Sequence, residues 1–426
     1  MSLLPTIADD RQPVHTVYGG AHLFRSYTAG RLGARALQTL AEYAPEPETF
    51  ARAVGLPAAL AETVYERVVS KLRREPVEDY RIDFEDGYGY RPDAEEDGHA
   101  RAVAAEVARG MEAGSLPASL GIRIKPLAGE SAARGMRTLG VFFKELAERA
   151  DGRLPPRFLV TLPKVAGAAE VAALADALDL LEAVLVCAPG RLGLELMIET
   201  PRALLDADGT VPLRRLVAAA RGRCAAVHFG AYDYTAALGI PAAHQRLDHP
   251  ACDFARQTMQ VALAGSGVRL ADGAVTLLPI PPHRLGPTPG PPGTLPWPER
   301  EANREAVHAA WRLHYGAVRR ALVAGFLQGW DLHPAQLPTR YAAVYAFYLE
   351  GLPAAAARLR NFVESAAQAT RVGAVFDDAA TGQGLLNTFL AALACGALAE
   401  EEAVEQTGLT REELGRRSFA GLLAGR

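Results

Sequence analysis

Two acidic residues stand where apolar runs stop. LELMIETPRALL, residues 194–205, carries Glu199 at the end of its apolar stretch, and AVHFGAYDYTAALG, residues 226–239, brings Asp233 just after the next one. The 34 residues from 199 to 233 are about one strand–helix–strand unit, so the two carboxylates are expected on adjacent strand ends at one mouth of a barrel. Two oxygen ligands with open positions are what Mg²⁺ asks of a protein, and Mn²⁺ suits the same donors. Zinc suits them less, because neither Cys nor His gathers beside them.

Other chemistry-bearing residues also end apolar runs. IDF is followed by Glu85 and Asp86, which are able to hold metal-bound waters or to orient a cation. Asp83 is expected to tie down the barrel rim. Arg123, on GIRIKPL, offers a planar guanidinium that grips a carboxylate and stabilises developing oxygen charge. A rim ion pair with Glu85 is its plainer use. The chain has only four lysines, and two of them, Lys125 and Lys164, end strand-like runs. His15 or Tyr18, and then Asp331 and His333, complete the set of strand ends. Glu195 shares a face with Glu199 roughly 13 Å lower, where it either forms a buried ion pair in a deeper layer or is turned outward by the twist of the strand.

The elements that must position these residues follow a regular rhythm. VHTVYGG (14–20), YRIDF (80–84), SLGIRIKPL (119–127), RFLVTLPKV (157–165), the GLELMIET run, CAAVHFG (224–230), GAVTLLPI (273–280) and FLQGWDLHP (326–334) read as eight strands. Helical material follows each, and buried parallel strands read as such apolar runs. Eight βα units closing on themselves make a (β/α)₈ TIM barrel, here with a C-terminal helical extension. No Gly-x-Gly-x-x-Gly follows the first strand, which argues against an open doubly wound sheet. The expected organisation is a catalytic barrel over 1–350, with a helical insertion at about 28–78 and a Pro-rich loop at 279–300. A helical segment at 351–426 would serve oligomerisation or cover the active site. Its apolar stretch LLNTFLAALACGAL is not needed by the barrel core, which suggests a homo-oligomer. Thr410 before Glu413 is a capping-box pattern.

Composition bounds the partners. Apolar residues make up 49% and charged residues 22% of the 426, and net charge is −4, so neither disorder nor a nucleic-acid partner is expected. No apolar run of spanning length and no basic leader is seen, so a membrane is not expected either and the location reads as cytoplasmic. Cys187, Cys224, Cys252 and Cys395 are too scattered for a disulfide framework or a zinc cluster.

Six segments in order resemble the HpcH/HpaI aldolase and citrate lyase beta-subunit family of phosphoenolpyruvate/pyruvate barrels. They are IDFEDGY (82–88), IRIKPL (122–127), LPKVAGAAEV (162–171), LMIETPRAL (196–204), FGAYDYTAALG (229–239) and LHPAQL (332–337). The resemblance implies that Glu199 and Asp233 bind the metal, that Arg123 binds a 2-oxo acid or its enolate, and that Glu85 and Asp86 stand behind the metal waters. It also implies trimers or hexamers. Lys125 stands where the family has Asn, and Tyr232 where it has Glu.

The reaction expected is metal-dependent carbon–carbon cleavage or its reverse on a small 2-oxo acid or its hydroxy-acid adduct. The base is expected to be a metal-bound water poised by Glu85 and Asp86, or a carboxylate of the C-terminal segment, Asp377 or Asp378. A metal-free alternative makes Lys164 a Schiff-base nucleophile of lowered pKa. Another makes the chain a CoA-thioester lyase or condensing enzyme, its carrier arm held by Arg284 and Arg300. A third is a non-catalytic barrel that binds a small acid.

Overall fold

A computed structural model describes residues 11–185, 187–284, 295–372 and 379–424. Eight strands pair in chain order and in parallel, and the last closes on the first. They are β1 (His15–Gly20), β2 (Asp79–Asp83), β3 (Ser119–Arg123), β4 (Phe158–Leu162), β5 (Gly193–Ile198), β6 (Cys224–Phe229), β7 (Arg269–Ala274) and β8 (Gln328–Asp331). Closure runs through His15 opposite Gly329 and Val17 opposite Asp331. The chain is a (β/α)₈ barrel with a helical extension.

Alternation along the strands decides what faces inward. Ile82, Ile122, Val160, Leu196 and Val227 face the helices and are wholly buried there. The lumen is less usual, since barrel interiors are mostly filled by branched aliphatic side chains. Here a wholly buried polar group fills the middle. Arg81 pairs with Glu195 at 2.7 Å and with Asp79 at 2.5 Å. Thr161 donates to Glu195 at 2.7 Å. The His228 ring adds a nitrogen 2.8 Å from the same carboxylate. Trp330 Nε1–H can only donate, and it does so to His228 Nδ1 at 3.0 Å, which leaves the ring proton to Nε2. Glu195 thus forms the deep ion pair, one of the two placements that its spacing below Glu199 allowed.

One strand lies elsewhere than expected. The apolar run 273–280 is mostly loop, with Leu277 exposed, and β7 lies earlier, at RLADGA. Its Asp272 points outward to Arg256, bonded at 2.8 Å, so a charge sits at the strand's centre and masks it.

The helices are α1 (Thr28–Tyr43), α2 (Pro47–Val54), α3 (Ala61–Arg74), α4 (Asp93–Ala113), α5 (Ala132–Arg149), α6 (Ala168–Val184), α7 (Pro201–Leu204), α8 (Leu213–Ala219), α9 (Ala231–Ala237), α10 (Pro250–Leu263), α11 (Trp297–Val323), α12 (Leu337–Val372), α13 (Ala379–Cys395), α14 (Glu400–Thr407), α15 (Arg411–Gly415) and α16 (Phe419–Ala424). The segment 28–78 supplies α1 to α3. Helix α12 runs unbroken past residue 350, with Pro353 inside it and Leu352 and Leu359 buried. The apolar stretch on α13 finds its partners within the chain. It packs on α12 and α16, burying Leu386 and Phe389 completely. Arg67 of α3 reaches across to Glu402 at 2.5 Å, tying the insertion to the extension. Thr410 caps α15 by accepting from Glu413 N at 3.2 Å. Among the described residues no helix is long and apolar enough to cross a membrane, and all four cysteines are free.

Candidate active site

The C-terminal ends of β2 to β6 gather the expected residues at one mouth. At the end of β2, Asp83 is wholly buried and accepts from the backbone N–H of Glu85 at 2.9 Å and of Gly87 at 2.7 Å. A Cβ at Gly87 would lie 2.6 Å from the Asp83 carboxylate, so only glycine lets this turn close. Arg123, ending β3, lays its fork on the same carboxylate, with bonds of 2.7 and 2.5 Å. The Nε/Nη2 edge of the guanidinium is thereby engaged within the protein, and Nη1 is left on the other edge. Its remaining nitrogen lies 3.3 Å from Glu85, 3.8 Å from Asp86 and 3.6 Å from Met197 Sδ, and its plane lies over the Tyr18 ring at 4.9 Å.

Lys164 follows β4 in the left-handed region, at φ 50°, uncommon for a residue with a side chain. That conformation turns its backbone N–H onto Glu199, bonded at 2.6 Å. Its ammonium lies between three acids: it bonds Glu85, bonds Asp86 at 3.0 Å and lies 3.9 Å from Asp233. Burial alone would lower its pKa, but Glu85 and Asp86 raise it above the ordinary lysine value. An ammonium so held is a fixed positive charge and a poor nucleophile, contrary to what the Schiff-base alternative needs.

Glu199 is 3% exposed at the end of β5. Gly230 makes room for it, because a Cβ there would lie 2.4 Å from Glu199 Cβ. Asp233 sits in the first turn of α9 with its side chain half exposed. Burial, with Asp233 and Glu85 nearby, pushes the Glu199 carboxyl up to about 8, against the pull of Arg123 and the Lys164 amide. Burial and the neighbouring Asp86 push Glu85 up to about 6, while Arg123 and Lys164 oppose. Burial would raise Asp86 as well, but its hydrogen bond with Glu85 and the charges of Arg123 and Lys164 bring it below the ordinary value. Four carboxyl groups thus meet one mouth where Arg123 is mostly engaged by Asp83 and the single ammonium of Lys164 lies among three of them. That is an electrostatic deficit of positive charge, and the donors are hard oxygens. This donor set fits Mg²⁺ or Mn²⁺ held by Glu199 and Asp233 with water and substrate oxygens. Among the described residues no group of three or more His, Cys, Asp or Glu is placed to hold a metal ion.

The floor beneath is apolar: Tyr18, Met197, Ala274 and Trp330 form one buried cluster. Tyr18 was only half legible, as one of two options on β1. Met197 and Trp330 were missed, although stepping back two residues from Glu199 reaches Met197. Five other residues do not enter the mouth. Lys125 points to the helices, bonding the Phe84 carbonyl and Glu96 at 2.7 Å each. His15 and Asp331 bond each other at 2.9 Å on the helix side of β1 and β8, because inward-facing Tyr18 and Trp330 fix the opposite parity. Asp331 also takes His314 and Arg340 at 2.9 Å each. His333 caps the short turn after β8 by accepting from Ala335 N at 3.2 Å. Tyr232 ties two loops together, donating to the Ala274 carbonyl at 3.2 Å and accepting from Thr276 Oγ1 at 3.0 Å. Asp377 and Asp378 lie outside the described residues, as does 285–294 of the Pro-rich loop.

Comparison with known proteins gives a family and distant likenesses of fold. Three structures of Haloferax volcanii malate synthase are similar to the chain. The magnesium/glyoxylate complex is 14% identical with a TM-score of 0.47, over 96% of this chain and 97% of that one. The native enzyme at 3 mM glyoxylate is 14% identical with a TM-score of 0.46, over 95% and 96%. The pyruvate/acetyl-CoA ternary complex is 13% identical with a TM-score of 0.45, over 78% and 69%. No curated protein matches the chain. The family model that matches does so over residues 2–422, nearly the whole length, and is described as Domain of unknown function (DUF6986). The chain belongs to that family.

Proposed function

We propose that the chain is a divalent-cation-dependent carbon–carbon lyase or aldolase acting on a small 2-oxo acid or its hydroxy-acid adduct. The observation that carries this is the buried Glu199 carboxyl facing Asp233 across a mouth short of positive charge, above a small apolar floor. The motif resemblance to HpcH/HpaI aldolases and citrate lyase beta subunits supports the same chemistry. Glu199 and Asp233 would hold Mg²⁺ or Mn²⁺, which supplies Lewis-acid polarisation of a bound keto group.

The chain's own residues do the remaining work. The outward nitrogen of Arg123 and the ammonium of Lys164 lie beside the mouth, where they stabilise oxygen charge as an enolate develops. Glu85, with a pKa of about 6, is the group suited to hold and return a proton near neutral pH, while its partner Asp86 stays ionised. Met197, Ala274 and Trp330 present an apolar surface that fits a methyl or methylene end better than a second carboxylate. A second reading, a lyase or condensing enzyme for CoA thioesters, is favoured by an arginine-lined groove beside the mouth.

Exchange of the C3 protons of pyruvate in D₂O, followed by NMR with added Mg²⁺, tests the proposal. Metal-dependent exchange that is lost in Glu199→Gln is the expected result. Turnover of a thioester with no exchange of any small 2-oxo acid would favour the second reading. Neither activity would leave a small-acid-binding barrel. Borohydride treatment with pyruvate should leave Lys164 unmodified, and a stoichiometric adduct there would overturn the cation mechanism.

A further inference from the structure

We infer that a groove beside the barrel mouth binds a phosphorylated ligand with a flat ring, of the nucleoside diphosphate type. The groove encloses about 950 Å³ between α1, the residues after β7, the start of α11 and His333. Charge is the first reason. Arg35, Arg284, Arg300 and Arg304 line it, against Glu42 and Glu301. Arg304 is paired with Glu301 at 2.5 Å. Among the described residues Arg35, Arg284 and Arg300 enter no ion pair, and Arg35 donates to the neutral Gln38 at 2.8 Å. On a chain of net charge −4, three unpaired guanidinium groups around one groove are a local excess of positive charge. Their planar forks match phosphate oxygens.

The second reason is Trp297, which lines the groove and is 67% exposed, whereas Trp311 and Trp330 are buried. A large indole left in water beside arginines is a stacking platform for a flat ring. The wall is also fixed in place. Asn303, 4% exposed on α11, accepts from His283 N at 2.8 Å and donates to the His283 carbonyl at 2.9 Å, anchoring the neighbour of Arg284. Such preorganisation lowers the cost of binding. The groove adjoins the mouth: Thr276, three residues before the groove's Pro279, is bonded by Tyr232, the neighbour of Asp233. The inference stands on the groove and does not rest on the cation site. Its chemistry is shared by a free nucleotide and by the nucleotide handle of an acyl-thioester carrier.

Calorimetric titration of the full chain with ADP, pyrophosphate, adenosine and acetyl-CoA, alongside tryptophan emission, tests it. ADP should bind with a Kd below about 1 mM, pyrophosphate more weakly and adenosine not measurably. The double variant Arg284→Ala/Arg300→Ala, checked as folded by circular dichroism, should weaken ADP about tenfold or more. Trp297→Phe should remove the emission change. Binding should persist in Glu199→Gln, which separates this site from the cation site. Acetyl-CoA binding tighter than ADP would identify the thioester carrier as the source; ADP binding as tight or tighter would identify a free nucleotide. Absence of saturable binding by ADP and acetyl-CoA at millimolar concentration, adenosine binding as tight as ADP, or unchanged affinity in the folded double variant would overturn the inference.

Discussion

Glu199 carries the clearest consequence of burial. Its carboxyl ionises near 8 in the fold and near 4.5 in the unfolded chain. Between those values the folded state holds a proton that the unfolded state has lost, so this group's contribution to stability falls as pH rises from 4.5 to 8. Metal-free Glu199→Gln is therefore expected to melt a few degrees above the unmodified chain at pH 8 and close to it at pH 5. Thermal melts at both pH values check this. Added Mn²⁺ should reverse the order at pH 8 by stabilising only the chain that retains Glu199. At this scale the sequence was informative about residue type and poor about pairing. Glu85, Asp86, Lys164, Glu199 and Asp233 meet as strand-end counting suggested. The commitment of Arg123 to Asp83 was not legible, because both sit forty residues apart with nothing in either run to reveal their bond.

At the scale of elements, the ends of β5 and β6 fit only because residue 230 is glycine. Gly230→Ala should displace Glu199, cost about 1–3 kcal/mol and weaken Mn²⁺ binding more than it lowers the melting temperature. Calorimetry beside denaturant melts would separate the two effects. The seam between β8, β1 and α12 is held by Asp331 with His15, His314 and Arg340. Burial lowers the pKa of His314 despite Asp331. As pH falls below 6.5 the unfolded chain takes up a proton that the folded His314 resists, so stability declines there. Burial would raise Asp331, but Arg340 and both histidines hold it well below 3.8, so its contribution is lost only as pH falls past that value. Asp331→Asn leaves Arg340 buried without its counter-charge and should cost about 3–5 kcal/mol at pH 7, measured by denaturant melts. The strand order was readable from apolar runs separated by helical spacing. The placement of β7 was not, because Asp272 interrupts its pattern while the loop beyond it is apolar.

At the scale of the whole molecule, the extension is part of the barrel's outer layer. Helix α12 covers the seam and then offers a continued apolar face to α13, so a chain ending at residue 372 would leave that face in water. Such a truncation should aggregate or melt well below the full chain, whereas an independent C-terminal module would leave the barrel's melt unchanged. The extension was legible as helical from its composition. Its use was not, since LLNTFLAALACGAL reads equally as a contact with a second copy or with α12. Light scattering on the full chain decides the trimer or hexamer expectation on its own terms.

The central claim is that two strand-end carboxylates, Glu199 and Asp233, form a divalent-cation site. Isothermal titration of Mn²⁺ into the full chain at pH 8, repeated with Glu199→Gln and Asp233→Asn, measures it directly. The account predicts one site per chain and a loss of about tenfold or more in affinity for each variant, with the circular dichroism of both unchanged. Absence of binding to the unmodified chain, or equal affinity in all three, would contradict it.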